Sequence, residues 1–409
     1  MPSLLKTEGR SKFLFLLCIV ALLPISKAQV KQPPLSQLSP IWFIKPKQVG
    51  YRLSTSTYFR PTVGGDRVKI QFLDAGKLAL AWLTPDEVAA KPIGIGDSVP
   101  SHLHLAILDD RTGRRTASHE WPCSSRGVNL AYTASGNWLL SSDQTITLYS
   151  SSFDKVRDLQ SVGTERFHTF VSPSGRTFLS HGSNSHGTWS GQLRDSETLE
   201  VLDSWNDARV ERAHLNYSDH FILAQVYQNR PKFQFYLRKV GGDWNPYSIS
   251  VPDNQPPGEM GYGFVTDDAV AVFAGPKMAV KTVEGRELFN ATLPEDGLYL
   301  PSWSVAATST RGERFAVILD RSRGLRNDIL DLYPYQSEDR IVVYSIPGRS
   351  AIYRVKVKGI SPWQTHAPWN VIALSPDGQL LGIVSDGGVG VYLLPPTDEE
   401  KQKSIVVPD

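Results

Sequence analysis

Two histidines lie five residues apart in the stretch HGSNSHG, at His181 and His186. Imidazoles on one loop can meet at a metal ion, but a zinc site needs a third ligand, usually a carboxylate, and no recognisable spacing supplies it. A polar loop between two strands is the favoured interpretation, so we predict no metal and no other cofactor. His102 and His104 alternate with leucines on one strand face, which we expect to be an ordinary solvated face.

Acidic and basic residues also occur in the segments between predicted strands. The acids are Asp207, Glu211 and Asp320, and the bases are Arg209, Arg212, Arg321 and Arg323. Two carboxylates cleave a glycosidic bond only when they face each other across a pocket, about 5 or about 6.5–9.5 Å apart. Sequence spacing does not supply that distance. We therefore treat the acids and arginines as candidate binding residues and name no catalytic residue.

Four tryptophans lie in or beside the same segments: Trp189, Trp205, Trp363 and Trp369. Exposed indoles form stacking platforms for sugars and anchors for protein partners. The alternative is that tryptophans fill the gaps between adjacent sheets, and we expect this core role for Trp82 and Trp138, which lie in strand patterns. Trp189, Trp363 and Trp369 join the candidate binding residues.

Two short motifs resemble those of known propeller enzymes. Asp109, Thr112 and Gly113 resemble the D-x-x-T-G core of quinoprotein motifs, but Ala117 replaces the expected tryptophan and the motif occurs once. SPDG at Asp377 resembles a sialidase Asp-box without its intervening residue. We predict plain turns at both places.

The amino terminus has the pattern of a secretory signal over residues 1–28, with basic residues before an apolar run and a small-residue cleavage site after Ala28. The apolar run is shorter than the roughly 20 residues that span a bilayer. An uncleaved anchor is the alternative. We expect a secreted or periplasmic chain without a stable membrane anchor.

Removing residues 1–28 takes away four basic and one acidic side chain, so the formal charge changes from +2 to −1. Such a chain has no positive surplus to neutralise a phosphate backbone, which argues against nucleic acid as the partner. Cys123 is then the one remaining cysteine, so no internal disulfide is expected.

Short alternating strands and regular turns dominate the rest of the sequence. One class of hairpin turn is centred near Thr112, Asp154, Ser196, Gly241, Glu284 and Gly348. The steps between them are about 42 to 45 residues, except for a longer last step that contains an insertion, and propeller blades repeat at about 40 to 50. A second class of turn occurs seven times, about halfway between the first, as in TASGNWLL and SPDGQLLG.

The stretches FVSPSGRTFLSHGS and ALSPDGQLLGIVSDGGVGVYLL resemble WD-repeat-like and YVTN-like β-propellers, over roughly residues 41–396. The resemblance implies an all-β, seven-bladed propeller of four-stranded antiparallel blades. The last unit has three strands, so we expect a strand within residues 41–58 to pair beside Val389 to Leu394 and close the ring, because unpaired edges promote aggregation. Six or eight blades remain alternatives. Residues 29–40 form a Pro-containing lead-in and 397–409 a polar tail.

Long, varied loops on one face of a rigid ring indicate a binding surface. We predict a scaffold that binds a protein or glycan partner there, and the alternative is a hydrolase or lyase acting on polysaccharide. Sequons at Asn216 and Asn290 leave glycosylation open.

Overall fold

The computed structural model contains almost only β-strands. It describes residues 39–50, 67–73, 76–86, 100–124, 128–143, 145–160, 166–183, 189–206, 210–228, 232–247, 260–274, 277–292, 300–301, 307–309, 313–320, 338–358, 371–385 and 387–397. The helix described, α1, is one turn long (Pro46–Val49) and begins with a proline, which suits the first helical position. Within these ranges, no helix has the length and apolar character needed to cross a membrane.

The strands form seven antiparallel sheets, which we number as blades 1 to 7. Blade 1 contains β2 (Arg67–Leu73), β3 (Lys77–Pro85), β4 (Pro100–Asp109) and β5 (Arg115–Ser124). Blade 2 contains β6 (Asn129–Tyr132), β7 (Trp138–Ser142), β8 (Thr145–Tyr149) and β9 (Lys155–Gln160). Blade 3 contains β10 (Arg166–Val171), β11 (Thr177–Ser183), β12 (Trp189–Asp195) and β13 (Val201–Asn206). Within each blade, the strands pair in chain order from the innermost, A, to the outermost, D.

Blades 4 to 6 follow the same order. Blade 4 contains β14 (Val210–Leu215), β15 (Phe221–Gln228), β16 (Lys232–Lys239) and β17 (Trp244–Tyr247), and blade 5 contains β18 (Met260–Phe264), β19 (Ala269–Ala274), β20 (Lys277–Thr282) and β21 (Glu287–Thr292). Blade 6 contains β22 (Leu300–Pro301), β23 (Ala307–Thr308), β24 (Arg314–Asp320), β25 (Glu338–Ser345) and β26 (Ser350–Lys358). Blade 7 contains β27 (Ile372–Leu374), β28 (Leu380–Ser385), β29 (Gly388–Leu393) and, as its outermost strand, β1 (Trp42–Ile44). In blade 6, β22 and β23 both pair with β24 and share the innermost position. The arrangement confirms the predicted seven-bladed β-propeller.

Each hairpin turn predicted from the repeat lies between strands C and D of one blade. Thr112 lies between β4 and β5, and Gly348 lies between β25 and β26. The second class of turn lies between strands A and B, as Gly175 does between β10 and β11. Turn residues mark strand ends by their own backbone preferences, which explains why their spacing revealed the period.

Strand B of a blade packs on both of its neighbours, because successive side chains point to opposite faces of a sheet. In β24, Phe315 and Val317 join the apolar cluster shared with blade 5, whereas Ala316 and Ile318 join the cluster shared with blade 7. Such clusters link every adjacent pair of blades around the ring. Burial of apolar surface between blades therefore holds the ring together.

The ring closes where the two ends of the propeller meet. β1 pairs antiparallel with β29, with Trp42 opposite Val391 and Ile44 opposite Val389. This confirms the expected position of the early strand beside Val389 to Leu394. The pairing completes blade 7 with its fourth strand.

Candidate functional site

The antiparallel order gives the ring two chemically different faces. The turn face carries the A–B and C–D turns, such as residues 110–114 between β4 and β5. At the opposite face, which we call the loop face, strands B end and strands C begin, as β3 does at Pro85 and β4 at Pro100. Segments between the strands of a rigid scaffold are common places for binding residues.

Two acidic side chains on the turn face, Asp109 and Asp377, bond to their own turns. Asp109 Oδ1 accepts hydrogen bonds from the hydroxyl and the main-chain N–H of Thr112, both at 2.8 Å, and from the N–H of Arg111 at 3.1 Å. The bonds from Thr112 lower the pKa of the Asp109 carboxyl. The D-x-x-T-G sequence is therefore a hairpin turn, as predicted, and its carboxylate stabilises the turn.

The SPDG sequence of blade 7 is a turn of a related kind. Asp377 Oδ1 accepts hydrogen bonds from the Ser375 hydroxyl at 2.5 Å and from the N–H of Gln379 at 3.0 Å. The Ser375 oxygen in turn accepts the N–H of Leu380 at 2.9 Å. These bonds fix the A–B turn, and the prediction of a plain turn is confirmed.

Three predicted binding residues have a described main chain. His181 lies in β11 between His168 and Gly191 of the neighbouring strands, so this histidine belongs to a strand and the predicted loop begins after it. Trp189 is the first residue of β12, and Arg212 lies in β14. All three lie in the halves of their strands that are nearer the loop face. The other candidates lie outside the described residues: His186, Asp207, Arg209, Arg321, Arg323, Trp363 and Trp369.

Trp205 is a core residue, which decides between the two interpretations left open for it. Its side chain is buried and packs edge to face on Trp244, with ring centroids 5.8 Å apart. The Arg238 guanidinium lies 5.5 Å from its ring and bonds to Asp203 at 2.9 Å. The indole covers Gly191, where a Cβ would come within 2.1 Å of the ring. Trp205 thus fills the gap between blades 3 and 4, and Trp82 and Trp138 are buried as expected.

His102 and His104 belong to a group of titratable side chains that sequence reasoning missed. Glu120 lies between the two rings, with one oxygen 2.6 Å from His102 Nδ1 and the other 3.0 Å from His104 Nδ1. Asp86 Oδ1 lies 3.2 Å from His102 Nε2. The Trp82 ring stacks on His104 at 5.1 Å. We call these four titratable residues, His102, His104, Glu120 and Asp86, the imidazole–carboxylate cluster.

The imidazole–carboxylate cluster lies toward the loop-face ends of strands B, C and D of blade 1. Its side chains retain 25% to 51% of their exposure, so they can contact a partner. His102 has a carboxylate oxygen near each ring nitrogen. The cluster therefore offers partly exposed imidazole and carboxylate groups side by side. The signal in the sequence was the two histidines on one strand face opposite Glu120 of the next strand.

A second polar group joins the innermost strands of blades 1 to 3. Lys69 Nζ donates to Asn129 Oδ1 at 3.2 Å and to the Leu130 carbonyl at 2.7 Å. Asn129 Nδ2 donates to the Thr169 carbonyl at 2.9 Å, and the Thr169 and Ser141 hydroxyls lie 2.6 Å apart. Burial lowers the pKa of Lys69 to about 8, because desolvation disfavours the ammonium. We call Lys69, Asn129, Thr169 and Ser141 the inner polar chain.

The Cys123 thiol has a raised pKa, and the described side chains of types that can bind metals are not grouped around a metal site. Burial raises the pKa of the Cys123 thiol to about 12, and the thiolate is the nucleophilic form of cysteine. Within the described ranges, no group of three or more His, Cys, Asp or Glu residues is arranged to hold a metal ion. The predictions of no cofactor and no catalytic residue stay predictions, since most candidate residues lie outside those ranges.

No protein-family model and no curated protein matches the chain. Among solved structures, a chain of the crystal structure of a mitotic checkpoint complex is similar, with a TM-score of 0.48 and 10% sequence identity. The match covers 90% of this chain and 98% of the other. The classification of this chain therefore rests on its own strand order, which is that of a seven-bladed β-propeller.

Proposed function

We propose that this β-propeller is an exported scaffold that binds a protein or glycan partner through its loop face and catalyses no reaction. The observation that carries the proposal is the contrast between two turn-face aspartates and the imidazole–carboxylate cluster. Asp109 and Asp377 on the turn face bond to their own turns. The imidazole–carboxylate cluster, toward the loop face, keeps its charged groups partly exposed. Export is supported by the signal-like pattern of residues 1–28.

The ring is a suitable scaffold because its blades are held on both sides. Apolar clusters link neighbouring blades, and β1 pairs with β29 at the closure. A rigid support lowers the entropy lost when a partner orders the binding residues. Propellers support many unrelated functions, so the argument depends on the loop-face residues and not on the fold.

The proposed binding surface combines aromatic anchors with charged residues around them. The anchors are Trp189, Trp363 and Trp369, since indoles supply much of the energy of many interfaces. The surrounding polar residues are His181, His186, Asp207, Arg209, Arg212, Arg321 and Arg323. These charges give orientation and specificity more than affinity.

Binding of the purified chain from residue 29 onward to glycan and peptide arrays tests the proposal. We expect a restricted set of bound probes, and we expect the double variant Trp363→Ala with Trp369→Ala to lose at least tenfold in affinity for them. The matched control is Glu284→Ala with Arg286→Ala, two exposed residues of a turn-face hairpin, which should bind as the wild type does.

Equal binding by both double variants would reject the loop face as the binding surface. Turnover of a polysaccharide that is abolished by Asp207→Asn would replace the scaffold proposal with the hydrolase or lyase alternative. Measuring both properties on the same preparations separates the two outcomes.

A further inference from the structure

Lys69 is a cation without an acidic partner in the described structure. Its ammonium donates to two neutral oxygens, Asn129 Oδ1 and the Leu130 carbonyl. An ammonium has three N–H donors, so one remains for another acceptor. Among the described residues, no carboxylate forms an ion pair with Lys69. A cation in these surroundings favours the approach of an anion.

The burial of Lys69 favours an ion pair between its ammonium and a bound anion. Desolvation alone lowers its pKa from 10.5 to about 8, and no neighbouring charge counteracts that effect. An opposite charge within about 4 to 6 Å stabilises the charged form of a titratable group. A bound anion would therefore stabilise the ammonium form of Lys69 and raise its pKa again, so the anion would bind the protonated lysine.

Lys69 lies where a small ligand can reach it. It belongs to β2, the innermost strand of blade 1, and its side chain points toward β6 of blade 2. Side chains before and after it, Val68 and Ile70, are fully buried on the opposite face, whereas Lys69 retains partial exposure. Because β2 is the innermost strand of its blade, we infer that the exposed part of Lys69 faces the axis of the ring.

The groups around Lys69 are held in place before any ligand binds. Asn129 is 5% exposed, and its Nδ2 donates to the Thr169 carbonyl of blade 3. That bond turns the Asn129 oxygen toward Lys69 Nζ. The two acceptors and the adjoining blade thereby fix the direction of the ammonium, which lowers the entropic cost of binding.

We propose that Lys69 and the inner polar chain form a binding site for the carboxylate group of a small ligand that enters the central channel. One ammonium matches the single negative charge of a carboxylate, whereas inorganic phosphate carries up to two charges and the inner polar chain contains no second cation. The site requires neither export nor a partner at the loop face, so it is independent of the proposed function.

A titration of Lys69 by NMR tests this site directly. The folded chain is labelled with ¹³C at lysine Cε, and the Lys69 signal is assigned from its loss in Lys69→Met. In buffer with little anion, we expect this signal to titrate near pH 8. Acetate or propionate at about tenfold excess over its Kd should raise the midpoint by about one pH unit, because the ligand binds the ammonium form.

The control signal is that of Lys155, an exposed lysine paired with Asp158 at 2.7 Å. It should not respond to the carboxylates. Chloride and inorganic phosphate at matched ionic strength should leave the Lys69 midpoint within about 0.3 units of its starting value. Carboxylate affinity should also fall about tenfold per pH unit above the midpoint.

An unchanged Lys69 midpoint in acetate and propionate would show that Lys69 only joins blades 1 and 2, and would overturn the proposal. An equal rise in chloride, phosphate and carboxylate would indicate general screening and would overturn it as well. The titrations use the wild-type protein, and Lys69→Arg gives a second assignment of the Lys69 signal if Lys69→Met folds poorly.

Discussion

The indole Nε1 of Trp42 donates a hydrogen bond of 2.8 Å to the main-chain oxygen of Asp110. Trp42 begins β1, the outermost strand of blade 7, and Asp110 lies in the C–D turn of blade 1. The bond is buried and joins the first strand of the chain to the blade beyond the closure. It adds a contact between blades to the pairing of β1 with β29.

Replacing Trp42 by Phe should weaken this closure. The substitution removes the indole donor, leaves the buried Asp110 oxygen without this partner and opens space, so the free energy of unfolding should fall by about 2–3 kcal/mol. Urea denaturation measures the loss. Phe43→Ala is the matched control on the same strand, because Phe43 is 44% exposed, and it should cost less than about 1 kcal/mol. Equal losses for both variants would show that Trp42 has no special part in closure.

A comparison of two turn glycines separates steric contact from backbone strain. Gly113 and Gly241 have φ values of +71° and +76°, but a Cβ on Gly113 would lie 2.8 Å from the Trp42 ring, whereas nothing lies within 4 Å of one on Gly241. Gly241→Ala should cost about 1–2 kcal/mol from the left-handed backbone alone. Gly113→Ala should cost at least about 1 kcal/mol more, measured by thermal or urea unfolding. Similar costs would mean that β1 moves aside without penalty.

The imidazole–carboxylate cluster should contribute little to stability. His102 and Glu120 are 40% and 51% exposed, and pairs with that exposure couple by about 0.2–1 kcal/mol. A double-mutant cycle of His102→Ala and Glu120→Ala at pH 6 and in low salt should therefore give a coupling below about 1 kcal/mol. A coupling of several kcal/mol would identify the cluster as a structural element and weaken its use as a binding surface.

The two sequons differ in their access to a glycosylating enzyme. Asn216 is fully buried, and its Nδ2 donates to the Asp267 carbonyl at 2.8 Å. Asn290 is exposed on β21, the outermost strand of blade 5. Secretion from a eukaryotic host should therefore give folded protein with a glycan at Asn290 and none at Asn216, as read by mass spectrometry of glycosidase-treated peptides. Folded protein with a glycan at Asn216 would contradict the structure around it.

Lys69 should make stability depend on pH in an identifiable window. Its pKa in the folded state, about 8, is below the ordinary value of 10.5, so the unfolded chain binds more protons between these values. Stability should then rise with pH, by about 2 kcal/mol between pH 8 and 9.5. Lys69→Met should lack this contribution, so the difference in unfolding free energy between the two proteins should change across that window. A constant difference would mean that Lys69 is not desolvated.

Much of the fold could be predicted because its signals are local. Turn sequences such as SPDG at Asp377 and D-x-x-T-G at Asp109 bond within a few residues of themselves, so their positions and spacing are written in the chain. The alternation within β4 likewise predicted which residues face the core. The site was less predictable, because the partners of His102 and of Lys69 lie on other strands.

The sequence by itself determined the repeat and the need for an early strand at the closure, and it favoured seven blades over six or eight, since short-range turn and strand preferences decide these features. Only the tertiary structure decided that Trp205 is buried, that His102 lies between two carboxylates and that Lys69 has neutral partners. The physical reason is that burial and charge pairing depend on which surfaces meet when blades pack. The contacts between blades join residues that are far apart in the chain, so a local sequence pattern does not predict them.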